Sequence, residues 1–371
     1  MGRRRAALLG LIAVAFLWLC QFLTVTRNYN GNWTALFRIS DKMTVPDFLR
    51  SERLYTFSGP GYDGQVYHLI AHDPWMQKGS AAAVGQTAFR YQRILVPALA
   101  WCLALGDDSN IHAAYFGVIL LFAFLGVYWL SRLEPMWGLA FVFAPAVIVS
   151  IDRMTADIAL AALTVGFALH VKDSPWKTAA ILACAALTRE TALPIIAGFT
   201  IYQFTKRRFF DAALGVASAI PAGAWYLYLA RHAGPSSAPT YLGWIPFAGI
   251  VNQLIHPNAY TLSPFKAAIA TAFDYVAIFA VLIALVFTAQ RAIERRWTAV
   301  TAAVYALALA AIFLQSRSVW EDANAFGRVL TPLLLLVAID NPRWPTFAPL
   351  VMVDARLSLD LWSQFAGLFR W

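Results

Sequence analysis

Charge is what this 371-residue chain has least of: 13% of its residues are Asp, Glu, Lys or Arg, about half the share usual in a soluble domain. With 60% hydrophobic residues in apolar runs from end to end, that scarcity excludes an ordinary soluble globule. It indicates a polytopic helical membrane protein. Cysteine is nearly missing too. Cys20, Cys102 and Cys184 lie inside apolar segments with no metal or redox spacing, and read as small hydrophobes. There is no G-x-G-x-x-G, no P-loop and no G-x-S-x-G elbow, so a soluble nucleotide cofactor has no support. No polar segment is long enough for a separate soluble domain.

The charge that is present is lopsided, 29 Lys and Arg against 20 Asp and Glu, or +9. The basic residues cluster between apolar runs, a pattern of orientation and anionic-lipid contact rather than nucleic-acid binding. Arg3, Arg4 and Arg5 precede an apolar run from Ala6 to about Val25, near the ~20 residues needed to span. No small-residue cleavage site follows, so the expectation is an uncleaved anchor with a cytoplasmic N-terminus. Further apolar runs lie near 111–130, 136–151, 158–171, 178–188, 191–204, 209–230, 266–289, 298–316 and 328–340. Lys206, Arg207 and Arg208, and the 291–296 stretch, are assigned to the cytoplasm. This threading predicts an all-α fold of about ten transmembrane helices with both termini cytoplasmic. One short pair, 178–204, is broken at Arg189-Glu190, and the short run 94–105 stays interfacial or re-entrant. The whole chain is then one integral-membrane domain. It has a long first outer loop at 27–110, a second at 231–265, and a cytoplasmic tail at 341–371.

The polar stretch GPGYDGQVYHLIAHDPW, residues 59–75, is out of character with its surroundings. One reading makes Asp63 the N-cap of a helix. The other makes it a general base held at a glycine-flanked turn at the mouth of an apolar cavity. His68 and His72, spaced i, i+4, with Asp73 next, can hold a metal. With no third ligand at useful spacing, the reading taken is a solvated helix face. No metal is assigned, a divalent ion being the open alternative. Arg90-Tyr91-Gln92-Arg93 suits either interfacial anchoring or an anion clamp, since paired guanidiniums fit phosphate oxygens. Asp152, Arg153 and Asp157 fall in a short outward turn. Arg189-Glu190 is the most expensive pair, because a charge at the centre of a spanning helix costs about 2.5–3.5 kcal/mol. Such a pair marks either function or an ion pair inside the bundle. Glu321, Asp322 and Arg328 form a last outward cluster.

Gly-Tyr-Asp-Gly-Gln-Val-Tyr (61–67), Arg-Tyr-Gln-Arg-Ile-Leu (90–95), Leu-Thr-Arg-Glu-Thr-Ala-Leu (187–193) and Gly-Arg-Val-Leu-Thr-Pro (327–332) occur in this order along most of the chain. The layout resembles the GT-C superfamily of integral-membrane glycosyltransferases that use polyprenyl-phosphate sugars. More narrowly it is similar to a compact bacterial family linked to cell-surface glycopolymer formation. The resemblance implies a multi-pass protein of the bacterial inner membrane with its active site facing the periplasm. It implies inverting transfer of a hexosyl or pentosyl group from a polyprenyl-phosphate donor to a glycan or lipid-linked acceptor. Asp63 would be the base, and Asp157 and Glu190 the further catalytic candidates. Tyr62, Gln65, Arg90, Tyr91, Arg93, Asp152, Arg153, Arg189 and Arg328 would bind donor phosphate or substrate. The chain departs from the superfamily in lacking an adjacent acidic pair in the first loop, which weakens metal dependence, and in lacking a soluble C-terminal domain. The alternatives are a transporter or flippase for lipid-linked glycans, and a non-enzymatic scaffold of a polymer-export complex.

Overall fold

The computed structural model describes residues 2–233 and 240–368. Parts of the expected second loop (234–239) and tail (369–371) lie outside them. The fold is 75% helix. Among the described residues, five helices are long and apolar enough to cross a membrane, or six if one bent pair counts as a span, which marks a multi-pass membrane protein. Ten crossings are not shown.

The first helix, α1 (Arg3–Asn28), is two-faced. Leu8, Leu11, Ile12, Phe16 and Leu19 are exposed, whereas Ala6, Gly10, Ala13 and Leu17 are buried at helical spacing. A Cβ at Gly10 would press on the Phe124 ring, so glycine lets α1 lie close to its neighbour. The segment expected as the first outer loop follows. It holds a two-residue parallel strand pair, β1 (Ile39–Ser40) and β2 (Thr56–Phe57). Four helices come next: α2 (Asp63–His72), the short α3 (Ser80–Ala83) and α4 (Thr87–Tyr91), and α5 (Leu95–Leu103). At nine residues α5 rises only ~14 Å, too short to cross. Gly64 is needed where it stands, because a Cβ there would meet the Arg153 carbonyl oxygen at 2.1 Å.

The next helix, α6 (Ile111–Leu133), packs on α1, α5 and α8. A 3-10 segment, Pro135–Phe143, and α7 (Pro145–Arg153) then meet at 45°, each opened by a proline that cannot continue the preceding helix. The following α8 (Asp157–His170) is buried on all sides. The chain runs on through α9 (Pro175–Thr188) and breaks at Arg189, whose backbone is extended. A 3-10 turn over Glu190–Ala192 leads into α10 (Leu193–Thr205). These three helices are 13 or 14 residues each, roughly 20 Å against a hydrocarbon core of about 30 Å. That shortfall is why they are not among the five or six helices counted as long and apolar enough to cross.

Next come α11 (Phe209–Ala217), α12 (Ile220–His232), α13 (Ala248–Ile255), α14 (Pro264–Ile293), α15 (Ala299–Ile312) and the single-turn α16 (Arg317–Trp320). The central helix, α17 (Ala323–Asp340), has 89% of its apolar window enclosed by the rest of the protein. Within 341–371, expected as a tail, residues 344–368 form a packed helix. This α18 (Trp344–Leu368) lies against α1, α14 and α17. Its Arg356 is paired with Asp274 at 2.9 Å and with Asp360 at 3.1 Å. Such pairing is what lets charges lie inside an apolar bundle. Asp354 Oδ1, by contrast, is buried with no hydrogen-bond partner among the described residues. Asn28 donates to the Gln364 carbonyl at 3.0 Å, so the far end of α18 lies beside the end of α1 opposite Arg3–Arg5.

Candidate functional site

The costly charges of the sequence converge. Asp63 opens α2 but does not cap it: Tyr62 is the N-cap and makes no side-chain cap bond. The Asp63 carboxylate instead accepts from Arg328 Nη2 of α17 at 2.5 Å. Arg328 also donates to Asp157, at the start of α8, at 3.3 Å. Asp157 in turn accepts from Arg189 at the α9–α10 break. Glu190 takes a two-pronged ion pair from Arg93, at 2.8 and 3.2 Å, and Arg93 donates to the Tyr67 hydroxyl at 3.1 Å. Three carboxylates and three guanidiniums thus form one chain of contacts, drawn from five separate elements.

A cavity of about 290 Å³ opens against this chain, and Asp63, Tyr67, Arg90, Arg93, Arg189, Tyr241 and Arg328 all line it. Asp157 and Glu190 stand behind the arginines and are not among its lining residues. Arg90 has no ion-pair partner among the described residues. Four guanidiniums against three carboxylates leave one positive charge in excess. Among the described residues, Arg189 Nε and Arg328 Nε are buried without a hydrogen-bond acceptor, a costly state for a charged donor, although Glu190 Oε1 lies 3.7 Å from Arg189 Nε.

Burial alone would raise the Asp63 carboxyl, but Arg328, then Arg93 and Arg90, outweigh it and hold the group well below the usual carboxylate range. In this arrangement Asp63 is ionised and a weak base. Burial pushes the neighbouring Tyr62 phenol up to about 12 against the pull of Arg328 and Arg153, so it stays protonated. The Tyr62 ring lies between these two guanidiniums, 4.4 Å from Arg153 and 5.2 Å from Arg328.

No family model, no curated protein and no solved structure matches this chain.

The other expected binding residues are placed elsewhere. Asp152 and Arg153 lie on the far side of Tyr62. Asp152 accepts from Gln364, and Arg153 pairs with Asp152 at 3.0 Å and Asp360 at 3.1 Å. They anchor α18. Gln65 braces the loop, accepting from the Ser40 amide at 2.9 Å and donating to the Pro60 carbonyl at 3.1 Å. Tyr91 is wholly buried, its hydroxyl 2.6 Å from Ser80 Oγ and 3.1 Å from the Asp73 carbonyl. His68 and His72 are not on a solvated face: both are fully buried where α2 meets the start of α6. Burial holds His68 well below the ordinary imidazole range and lowers His72 as well.

Two lining tyrosines were not among the site residues expected from the sequence. Tyr67 sits one helical turn after Asp63 and could have been found as an i, i+4 neighbour on the same face. Tyr241 reaches the cavity from an irregular segment before α13, and nothing local marks it.

Proposed function

We propose that this chain is a membrane glycosyltransferase, transferring a sugar from a polyprenyl-phosphate donor to a glycan or lipid-linked acceptor, with Asp63 as the general base. The observation that carries the reading is the arginine-lined cavity with Asp63 on its rim: a compact anion site directly beside a candidate base. A phosphate seated there meets the guanidiniums that line the cavity, Arg90 among them without an ion-pair partner among the described residues. An apolar surface adjoins it. Tyr241 lines the cavity, and the segment just after it exposes Trp244, Ile245, Val251 and Ile255, side chains suited to lipid.

The ion pair gives the chemistry an order. While Arg328 is bound to Asp63, the carboxylate is a poor proton acceptor. A donor phosphate that takes up Arg328 removes that pull and raises the proton affinity of Asp63 when substrate is present. The acceptor hydroxyl then gives its proton to Asp63 while its oxygen attacks the anomeric carbon. The bond from that carbon to the phosphate oxygen breaks, and the electron pair leaves on the phosphate. The guanidiniums stabilise the charge that develops there. The threading expected from the sequence up to α17, with this cavity on the outer face of a bacterial inner membrane, belongs to the same proposal. There α18, in place of a cytoplasmic tail, returns the chain to the outer face, where Asn28 meets Gln364.

The test uses the full chain in nanodiscs and two probes, a polyprenyl monophosphate and the matching polyprenol, with native mass spectrometry as readout. The monophosphate should bind at least tenfold more tightly. Arg90→Ala, which breaks no ion pair, should lower that binding about 10- to 100-fold, the range of one charged hydrogen bond of about 1.5–3 kcal/mol. Transfer is then assayed with a panel of labelled polyprenyl-phosphate sugars. Equal binding of alcohol and phosphate sinks the anion site.

A further inference from the structure

A second cluster lies at the other end of α2 from Asp63, and it is independent of the reading above. The Nε2 atoms of three histidines point at one another. His68 and His112 are 2.7 Å apart, and His68 and His72 are 3.2 Å apart. Glu52 adds a carboxylate oxygen 3.4 Å from His112 Nε2. We propose that His68, His72, His112 and Glu52 form a site for a divalent transition-metal ion of the zinc class.

The geometry suits four-coordination. Zinc–ligand distances of about 2.0–2.1 Å in a tetrahedron place donor atoms about 3.4 Å apart. The Glu52 oxygen is already at that spacing from His112, and the His68–His112 and His68–His72 separations of 2.7 and 3.2 Å open to it by about 0.7 Å or less. Three imidazoles and one carboxylate favour zinc, cobalt or nickel over magnesium or calcium, which prefer oxygen.

Protons satisfy the cluster poorly. His72 Nδ1 lies 2.9 Å from the Asp108 carboxylate, so that nitrogen carries the hydrogen and Nε2 presents a lone pair. His68 is fully buried and its Nδ1 has no partner. Among the described residues, the only side-chain polar contacts His68 makes are therefore those to the two other imidazoles. One N–H on His68 would have to serve both, whereas a cation accepts all three lone pairs at once. The surroundings have the form of a metal site's outer shell. Asp108 fixes the ring of His72 and is itself held by Lys78 at 2.9 Å, the carboxylate–histidine arrangement common behind zinc ligands. Phe37 packs on His68 and Phe48 on His72, screening the nitrogens from bulk water. An entry path exists, since Glu52 and His112 both line an open cleft of about 1020 Å³.

The ion's role is positional. It joins α2, the start of α6 and the loop before β2. His68 follows Asp63 by five residues, ~7.5 Å along the helix, so the metal sets the place of the helix carrying Asp63 without touching its carboxylate.

The experiment takes the purified full-length protein in detergent, strips it with chelator, and adds Zn²⁺ or Co²⁺. One equivalent of zinc should survive desalting. Cobalt should give the intense visible absorption of four-coordinate Co²⁺, and zinc should raise the melting temperature. A thousandfold excess of Mg²⁺ should not displace it. His112→Ala, at the rim of the cleft, should lower zinc affinity at least 100-fold. Asp108→Asn, which only touches a ligand, should lower it about 10- to 100-fold and serves if His112→Ala does not fold. His232→Ala, at an exposed histidine, should change nothing. Failure of the parent protein to retain stoichiometric zinc or cobalt overturns the proposal. So does parental affinity in a folded His112→Ala or Asp108→Asn, or displacement by magnesium.

Discussion

Asp63→Asn should tighten lipid-phosphate binding while abolishing transfer, an opposition that no purely structural role for Asp63 produces. The Asp63 carboxylate sits 2.5 Å from Arg328 Nη2 and competes with any phosphate for the same guanidinium. A phosphate held on the other edge of Arg328 would be about 5 Å from Asp63. At an effective dielectric of about 20–40, two like charges at that distance repel by about 1.7–3.3 kcal/mol. The Asp63 side chain is 28% exposed, so solvent screening favours the lower end. About 2 kcal/mol corresponds to roughly 30-fold tighter binding of a polyprenyl monophosphate. Transfer should fall about 10²- to 10⁴-fold, because Asn cannot take the acceptor's proton. Stability should drop by only about 1–2 kcal/mol, since Arg328 keeps Asp157 as a partner. The assay is native mass spectrometry in nanodiscs beside a labelled-sugar transfer assay on the same preparation. Unchanged or weaker phosphate binding by folded Asp63→Asn would refute the competition argument. Near-parental transfer would remove Asp63 as the base.

Asp157→Asn should cost about 3–5 kcal/mol, because it strips the shared partner of two buried guanidiniums, Arg189 and Arg328; an unchanged melting temperature would show the pairing to be unimportant. Tyr91→Phe should lower stability by about 1 kcal/mol through the lost Ser80 and Asp73 contacts and leave phosphate binding as it was, whereas weakened binding would return Tyr91 to the site. In a cysteine-free background, an impermeant maleimide added from outside should label single cysteines at positions 107 and 362 but not 132. Labelling of 132 with protection of 107 would invert the threading, and protection of 362 alone would place the end of α18 away from the outer face.

Part of this architecture is legible along the chain. The break at Arg189 follows from the expense of a charge pair inside an apolar stretch, and the backbone does turn extended there. The run 94–105 is too short to cross, and forms a nine-residue helix. Other readings were overturned by packing. The solvated face assigned to His68 and His72 is buried because the start of α6 brings His112 against it, from a position 44 residues away. No spacing rule applied within one helix can see a third ligand on another. The helix in place of the 341–371 tail was hidden because its charged residues depress its hydropathy, while their partners Asp274 and Arg153 lie on other helices.

The sequence by itself determined the class, a helical membrane protein with few charges, and which of those charges are too costly to be idle. Residue type and local periodicity decide those matters. Only the tertiary structure decided partnership: Arg328 with Asp63 across 265 residues, Arg93 with Glu190 across 97, Arg189 with Asp157 across 32. An ion pair requires atoms within about 4 Å. Such proximity is a property of how helices pack, not of where residues stand along the chain.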